Sequence, residues 1–227
     1  EDRNFPNFTY KNIALDTLNY KFGQLDMVEK FMNEDDTNQL QLEQLLNEAL
    51  STSAIEGQTL QRSSVRSSIN KILKLGLEDD YSYTRESDAL IEILIDAKIN
   101  KKPLDKQRIL KWHKALFSTG SSGLRDINVG SYRTENEDMQ IVSGAWNREK
   151  VHYVAPPSSS LEELMDRFLL WLNKDNEIGT IYKATIAHLY FVLIHPFDDG
   201  NGRIARAITD YVLAESSFAN PKFYSIS

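Results

Sequence analysis

The chain is patterned as a succession of amphipathic helices. Leu42, Leu45, Leu46, Ala49 and Leu50 recur at the three-and-four spacing of one helical face. They predict a helix from about Thr37, as its N-cap, to Gly57, as its stop. Val65, Ile69, Ile72 and Leu73 predict a second helix, closed by Gly76. Further helices are predicted near 84–99, 105–118, 160–173, 180–194 and 201–215. Pro103 with Asp105 marks the entry to one, and Pro156-Pro157-Ser158-Ser159-Ser160 the entry to another. One stretch, roughly 129–155, breaks the pattern. There Met139-Gln140-Ile141-Val142 and Val151-His152-Tyr153-Val154 are short β-prone runs, separated by a segment containing Ser143-Gly144-Ala145-Trp146-Asn147. They predict a β-hairpin set into a helical protein. The first ten residues read as an arm that Phe5, Phe8 and Tyr10 would dock. The expected fold class is all-α with one β-hairpin.

Composition narrows the function classes. At 227 residues, with 41% hydrophobic and 26% charged positions, the chain can bury a real core and is not a disordered segment. A formal charge of -7 argues against a general nucleic-acid binder, because neutralising phosphates needs a basic face, although a local basic pocket for a nucleotide stays possible. The absence of cysteine excludes disulfides and cysteine-ligated metals. No apolar stretch has the length of a membrane span and no signal-peptide pattern opens the chain, so a cytoplasmic location is expected. The chain opens on Glu1 and stops at Ser227 without an end signal, which leaves room for a further domain.

The chemistry is concentrated in His195-Pro196-Phe197-Asp198-Asp199-Gly200-Asn201-Gly202-Arg203-Ile204-Ala205-Arg206. The apolar run Ile186–Ile194 leads into it, and Ile204, Ala207, Ile208, Tyr211 and Val212 continue as a helix. The segment therefore lies on a helix–loop–helix turn, with its glycines at the start of the second helix. A helix N-terminus offers unpaired N–H groups and a positive dipole end to an anion. Gly200 and Gly202 let backbone approach a phosphate with no Cβ in the way, and Asn201 adds a neutral side-chain donor. Arg203 and Arg206, three apart, share a helical face and can grip further phosphate oxygens. Asp199 supplies a hard oxygen for Mg²⁺, and His195 can take a proton near neutral pH. Singly these features have ordinary explanations: Asp-Gly-Asn-Gly is usually a turn, the arginines a solvated face, the histidine a core residue. Their coincidence points instead to phosphoryl or nucleotidyl transfer from a Mg²⁺-bound nucleotide.

These twelve residues resemble the Fic family motif, His-x-Phe-x-Asp/Glu-Gly-Asn-Gly-Arg-x-x-Arg, at every specified position. Gly130-Ser131-Tyr132-Arg133, the hairpin and the Pro156-Pro157 pair resemble the segment that precedes the motif in that family. The resemblance implies a Fic-type core over 101–227 and an N-terminal helical region over 1–100. It also implies transfer of AMP from ATP to a hydroxyl side chain (Ser, Thr or Tyr) of a protein target, self-modification included. His195 would deprotonate the hydroxyl and Asp199 would hold Mg²⁺. Gly200, Asn201 and Gly202 would form the anion hole, and Arg203 and Arg206 would steady the phosphates. Phe197 would anchor the loop in the core. The hairpin would be a flap pairing with target backbone, with Met139, Gln140 and Ile141 at the contact.

Thr52-Ser53-Ala54-Ile55-Glu56-Gly57 would attract no notice alone, since Glu56 reads as a solvated helix residue. Beside the longer motif, Thr52, Glu56 and Gly57 resemble the family's inhibitory helix, over about 37–57. By that resemblance Glu56 would pair with Arg206 and obstruct the productive seat of the γ-phosphate. Removal of AMP, transfer of another nucleotide or phosphate-containing group, and a non-catalytic nucleotide sensor are the alternatives, and a homo-oligomer is allowed.

The other histidines carry less. His113 and His188 fall on helical faces as packing or hydrogen-bonding residues, and His152 is expected to be exposed. No two histidines have metal-ligand spacing. Trp146 could touch a partner or pack in its loop. Glu34-Asp35-Asp36 and Glu78-Asp79-Asp80 read as solvated loops.

Overall fold

A computed structural model describes residues 14–73, 84–123, 125–134, 139–143, 148, 150–174 and 178–215. The elements are α1 (Asp16–Phe31), α2 (Glu34–Ile55), α3 (Arg62–Leu73), α4 (Arg85–Ile99) and α5 (Lys106–Leu116). Two two-residue strands, β1 (Ser121–Ser122) and β2 (Arg125–Asp126), follow, then β3 (Gln140–Ser143) and β4 (Lys150–Val154). A 3₁₀ turn (Ser158–Ser160) leads into α6 (Leu161–Asn173), α7 (Thr180–Ile194) and α8 (Asn201–Ala214). The fold is helical with a hairpin, as the periodicity predicts.

Three expectations are corrected. Helix α2 begins three residues earlier, because Asn33 and not Thr37 is its N-cap: the Asn33 Oδ1 accepts the Asp36 N–H at 2.8 Å. Glu34, Asp35 and Asp36 are therefore the first turn of a helix, where carboxylates complement the dipole, and not a loop. The Thr37 hydroxyl bonds back to the Asn33 carbonyl at 2.8 Å, as a first-turn residue does. Among the described residues of 129–155 the strands are β3 and β4, in antiparallel register with an irregularity between Ile141 and Val142, so the β region is narrower than that range. Helix α1 and the small β1–β2 pair lay beyond the pattern reading. In α1 the apolar residues Leu18, Tyr20, Leu25, Met27, Val28 and Phe31 are all exposed, so they form no buried stripe to read. Phe5, Phe8, Tyr10, Gly76, Glu78-Asp79-Asp80, Gly144 and Trp146 lie outside the described residues.

Two buried clusters share one wall. Leu42, Leu45, Leu46 and Ala49 of α2 pack with Val65 and Ile69 of α3 and with Leu90, Ile91 and Leu94 of α4. The opposite side of α4, through Ile93 and Ala97, joins a second cluster of Trp112, Phe168, Phe191, Phe197, Ile204 and Ile208. Each fully buried large side chain stabilises the fold by about 1.5–3 kcal/mol. Helix α8 packs on α7, α4 and α2, and twelve of its fourteen residues are buried. That seating decides what the helix's N-terminal residues can meet.

Candidate active site

Helix α7 ends at Ile194, and His195 follows as its C-cap with φ 51° and ψ 59°. His195 is the single non-glycine residue with positive φ among the described residues. A left-handed L-residue costs about 1–2 kcal/mol, so surrounding contacts must hold it. The ring Nδ1 lies 3.2 Å from the Val192 carbonyl. A carbonyl only accepts, so Nδ1 carries the proton and Nε2 keeps its lone pair. Burial lowers the imidazole pKa below its ordinary value, partly offset by the Val192 bond. The geometry presents a neutral base.

The loop beyond it is closed from within. Phe197 is fully buried, stacked on His113 with ring centroids 4.0 Å apart. The Asn201 amide donates to the Phe197 carbonyl at 2.8 Å and accepts the Phe197 N–H at 3.0 Å. The amide thereby staples the loop through its oxygen and one of its two N–H groups, while the Asn201 backbone N–H stands in the first turn of α8. Gly200 has φ 81°, and a Cβ there would lie 2.8 Å from a Phe117 ring carbon. Helix α8 starts without a side-chain cap, which leaves its first-turn N–H groups directed at the loop.

Residues 122 and 128–133 grip the outside of the same loop. The Asn128 N–H and amide both donate to Asp198 Oδ2, at 2.8 and 2.9 Å. Ser122 donates to Asp199 Oδ2. The Gly130 N–H donates to His113 Nδ1 at 3.0 Å, so His113 carries its proton on Nε2 and donates to the Asp199 carbonyl at 3.2 Å. Burial pushes the His113 pKa down to about 4, which keeps that tautomer neutral. Arg133 donates to the carbonyls of His195 and Pro156 through its guanidinium and of Pro196 through its backbone N–H. Neither Ser122 nor Asn128 carried a signal in spacing, since both lie in stretches without periodicity.

The two arginines of α8 meet the end of α2. Arg206 donates from Nε to the Thr52 hydroxyl at 2.6 Å and from Nη2 to Glu56 Oε1 at 2.5 Å. A Cβ on Gly202 would collide with that same Oε1. Arg203 donates from Nη1 to Gln58 at 3.1 Å, lies 3.5 Å from Asp199 Oδ1 and stacks over Phe117. Its Nε is buried and has no hydrogen-bond partner. The structure thus brings Asp199, Gly200, Gly202, Arg203 and Arg206, on the loop that follows His195, together with Thr52 and Glu56, whereas Gly57 follows Glu56 with open space around its Cα and no contact to the motif.

The donor set fits a cation held mainly by phosphates. No group of three or more His, Cys, Asp or Glu residues suited to a metal occurs among the described residues. Asp199 presents its carboxylate, about one third exposed, beside Arg203. One carboxylate completed by phosphate oxygens and water is how Mg²⁺ commonly binds with nucleotides.

The flap residues lie apart from this cluster on the hairpin. Gln140 is exposed and Met139 half-buried, and the Met139 carbonyl accepts the Ala155 N–H at 2.8 Å. Ile141 pairs in register with Tyr153, whose hydroxyl donates to the Leu193 carbonyl at 2.8 Å. His152 is exposed and bonds Ser143, and His188 bonds Thr209 within the helical pair. No described helix is long and apolar enough to cross a membrane.

The chain is similar to known proteins over most of its length. Residues 103–213 match the Fic/DOC family, and residues 1–75 match a domain of unknown function, DUF4172. The protein adenylyltransferase fic-1 of Caenorhabditis briggsae is 30% identical over 177 residues, covering 74% of this chain and 31% of the relative. The protein adenylyltransferase Fic of Drosophila grimshawi is 34% identical over 100 residues, 42% of this chain and 21% of its own. The chain thus spans about a third or less of these relatives. A Fic family protein from Desulfovibrio desulfuricans superposes with a TM-score of 0.62 at 25% identity, over 91% of this chain and 59% of that one. With the twelve-residue motif on its α7–α8 turn and the family match surrounding it, the chain carries a Fic/DOC-family domain over residues 103–213.

Proposed function

We propose that this chain is a protein adenylyltransferase restrained by its own helix α2. The carrying observation is the Glu56–Arg206 ion pair at 2.5 Å, set over the first turn of α8 on the same loop as the unprotonated Nε2 of His195. The reading is further supported by relatives that are named protein adenylyltransferases. Residues 101–227 act as the catalytic core and 1–100 as the helical region that bears the restraint. The substrate is ATP, the acceptor is a Ser, Thr or Tyr hydroxyl of a protein, and the setting is cytoplasmic.

His195 Nε2 takes the proton of the acceptor hydroxyl as its oxygen attacks the α-phosphorus. The bond to the bridging oxygen of the β-phosphate breaks, and pyrophosphate leaves. The N–H groups from Gly200 to Gly202 meet the charge that develops on the phosphoryl oxygens, a preorganised electrostatic role. Arg203 and Arg206 bind the outer phosphates in planar forks. Asp199 holds Mg²⁺, which when bound neutralises phosphate charge. Met139, just before β3, and Gln140 and Ile141 within it are offered to an extended segment of the target by strand addition. Glu56 opposes productive binding twice over: it neutralises Arg206 and fills the space above Gly202.

The deciding experiment incubates wild type and Glu56→Gly with α-labelled ATP and a protein lysate. Covalent AMP on protein that rises in Glu56→Gly supports the reading. Equal incorporation by the two proteins removes the restraint from it. ATP binding without any covalent product favours a nucleotide sensor, and loss of AMP from pre-modified protein favours the reverse reaction.

A further inference from the structure

The backbone of His195 is held against two local preferences at once. Its left-handed conformation is unfavourable for any residue with a Cβ, and proline at the next position steers its predecessor toward extended geometry. Nothing within the loop itself bonds its carbonyl. That carbonyl accepts from Arg133 Nε at 2.8 Å, and the next one, of Pro196, accepts from the Arg133 backbone N–H at 2.9 Å.

Arg133 is buried, 3% exposed, on a coil and not within a helix. Its remaining reach goes to the Pro156 carbonyl, immediately after the residue that closes the hairpin onto Met139. One planar guanidinium therefore spans the backbone of the catalytic base and the root of the flap. Tyr153 makes a parallel tie from β4 to the Leu193 carbonyl, two residues before His195. The Asp198 carboxylate, itself held by Asn128, favours the charged form of the buried guanidinium and partly offsets the cost of its burial.

We propose that Arg133 is the positioning residue that locks His195 in its left-handed backbone and fastens that backbone to the root of the flap. The fork explains the residue type. Lysine can reach one carbonyl with a flexible ammonium, whereas only arginine presents Nε and Nη2 in a fixed plane to two carbonyls. Displacing a base by about 1 Å can cost about 100-fold in rate without touching substrate affinity.

The rate part rests on the adenylyltransferase reading, so the test includes an arm that needs no activity. Arg133→Lys and Arg133→Met are made in the Glu56→Gly background, with the folded fraction checked by thermal unfolding. In ring-¹⁵N NMR, with His195 assigned by His195→Ala, the parent should show a single Nδ1–H tautomer for His195. Arg133→Met should shift that signal toward averaged tautomers while His113 and His188 keep theirs. Turnover should fall about 100-fold in Arg133→Met with KM for ATP unchanged, and Arg133→Lys should lie between. If Arg133→Met does not fold, Arg133→Lys carries both arms. An unchanged His195 signal, or a rate loss no larger than the loss of folded protein, overturns the assignment. If the Glu56→Gly parent transfers no AMP, the adenylyltransferase reading falls, and the NMR arm alone decides on Arg133.

Discussion

The carboxylate of Glu56 occupies the space that a side chain on Gly202 would need. Glu56 ends α2 and Gly202 opens α8, and Arg206, one turn along α8, binds Glu56 at 2.5 Å. A helix N-terminus suited to an anion is thus met by an anion of the chain itself. Removing that carboxylate frees both an arginine and the volume above a glycine. Glu56→Gly is therefore expected to raise AMP incorporation at least about tenfold, the effect of restoring one charge-assisted contact of about 1.4 kcal/mol. His195→Ala in the same background should abolish it. Gel autoradiography with labelled ATP reads both.

Thr52 makes the second grip on Arg206, through its hydroxyl at 2.6 Å and its carbonyl. Thr52→Ala removes only the first. It should release α2 partially, with an incorporation rate between wild type and Glu56→Gly, measured in the same assay. A rate equal to wild type would leave the hydroxyl with no share in the restraint.

The pH dependence follows from His195. Its base form is the active one, and burial lowers its pKa below the ordinary histidine value of 6.5. Protonation on acidification is thereby postponed, so the acid limb of kcat/KM should lie below pH 6.5. A rate that begins to fall above that point would place the controlling proton elsewhere. The profile is best taken with Glu56→Gly, where Glu56 no longer contributes its own charge.

Asp210 and Lys98 form a buried ion pair at 2.9 Å between α8 and α4, with Glu48 of α2 facing it. Burial pushes the Asp210 pKa up to about 7, with Lys98 opposing that rise and Glu48 adding to it. The folded protein thus retains a proton that the unfolded chain releases near pH 4. This group's contribution to stability is complete below about pH 4 and is lost as pH rises to about 7. Lys98→Met should leave the acid unpaired and lower unfolding stability at pH 7.5 by about 3 kcal/mol. Urea titrations at pH 5 and 7.5 should show the loss to be smaller at the lower pH.

Gly200 sits at φ 81° with Phe117 in the path of any Cβ. Gly200→Ala carries both the left-handed cost and an overpacking cost, together about 2–4 kcal/mol. Chemical denaturation should show this loss. Nucleotide affinity, followed by calorimetry in the Glu56→Gly background, should fall with it, because the loop backbone that faces the phosphates must shift.

The amino-acid sequence by itself determined the local features. Periodicity located α2 through α8, the β-prone runs located the hairpin, and the residues from His195 to Arg206 declared a base, a metal ligand and a phosphate cradle. These are properties of spacing along one element, and spacing is what a sequence displays. Where capping competed, as between Asn33 and Thr37, the pattern missed the start by three residues, because the cap is chosen by side-chain geometry and not by hydrophobicity. Helix α1, with most of its apolar residues exposed, offered no stripe to detect.

Only the tertiary structure decided which faces meet. Glu56 and Arg206 are 150 residues apart, and their contact depends on how α2 and α8 both pack against α4. That the Asn201 amide folds back onto the Phe197 backbone is likewise invisible in the sequence. Arg133, Asn128, Ser122 and Gln58 act through backbone and side-chain groups far away in the chain, and no spacing rule records such encounters. The sequence thus named the chemistry of the loop, whereas packing determined what restrains it and what holds its histidine in place.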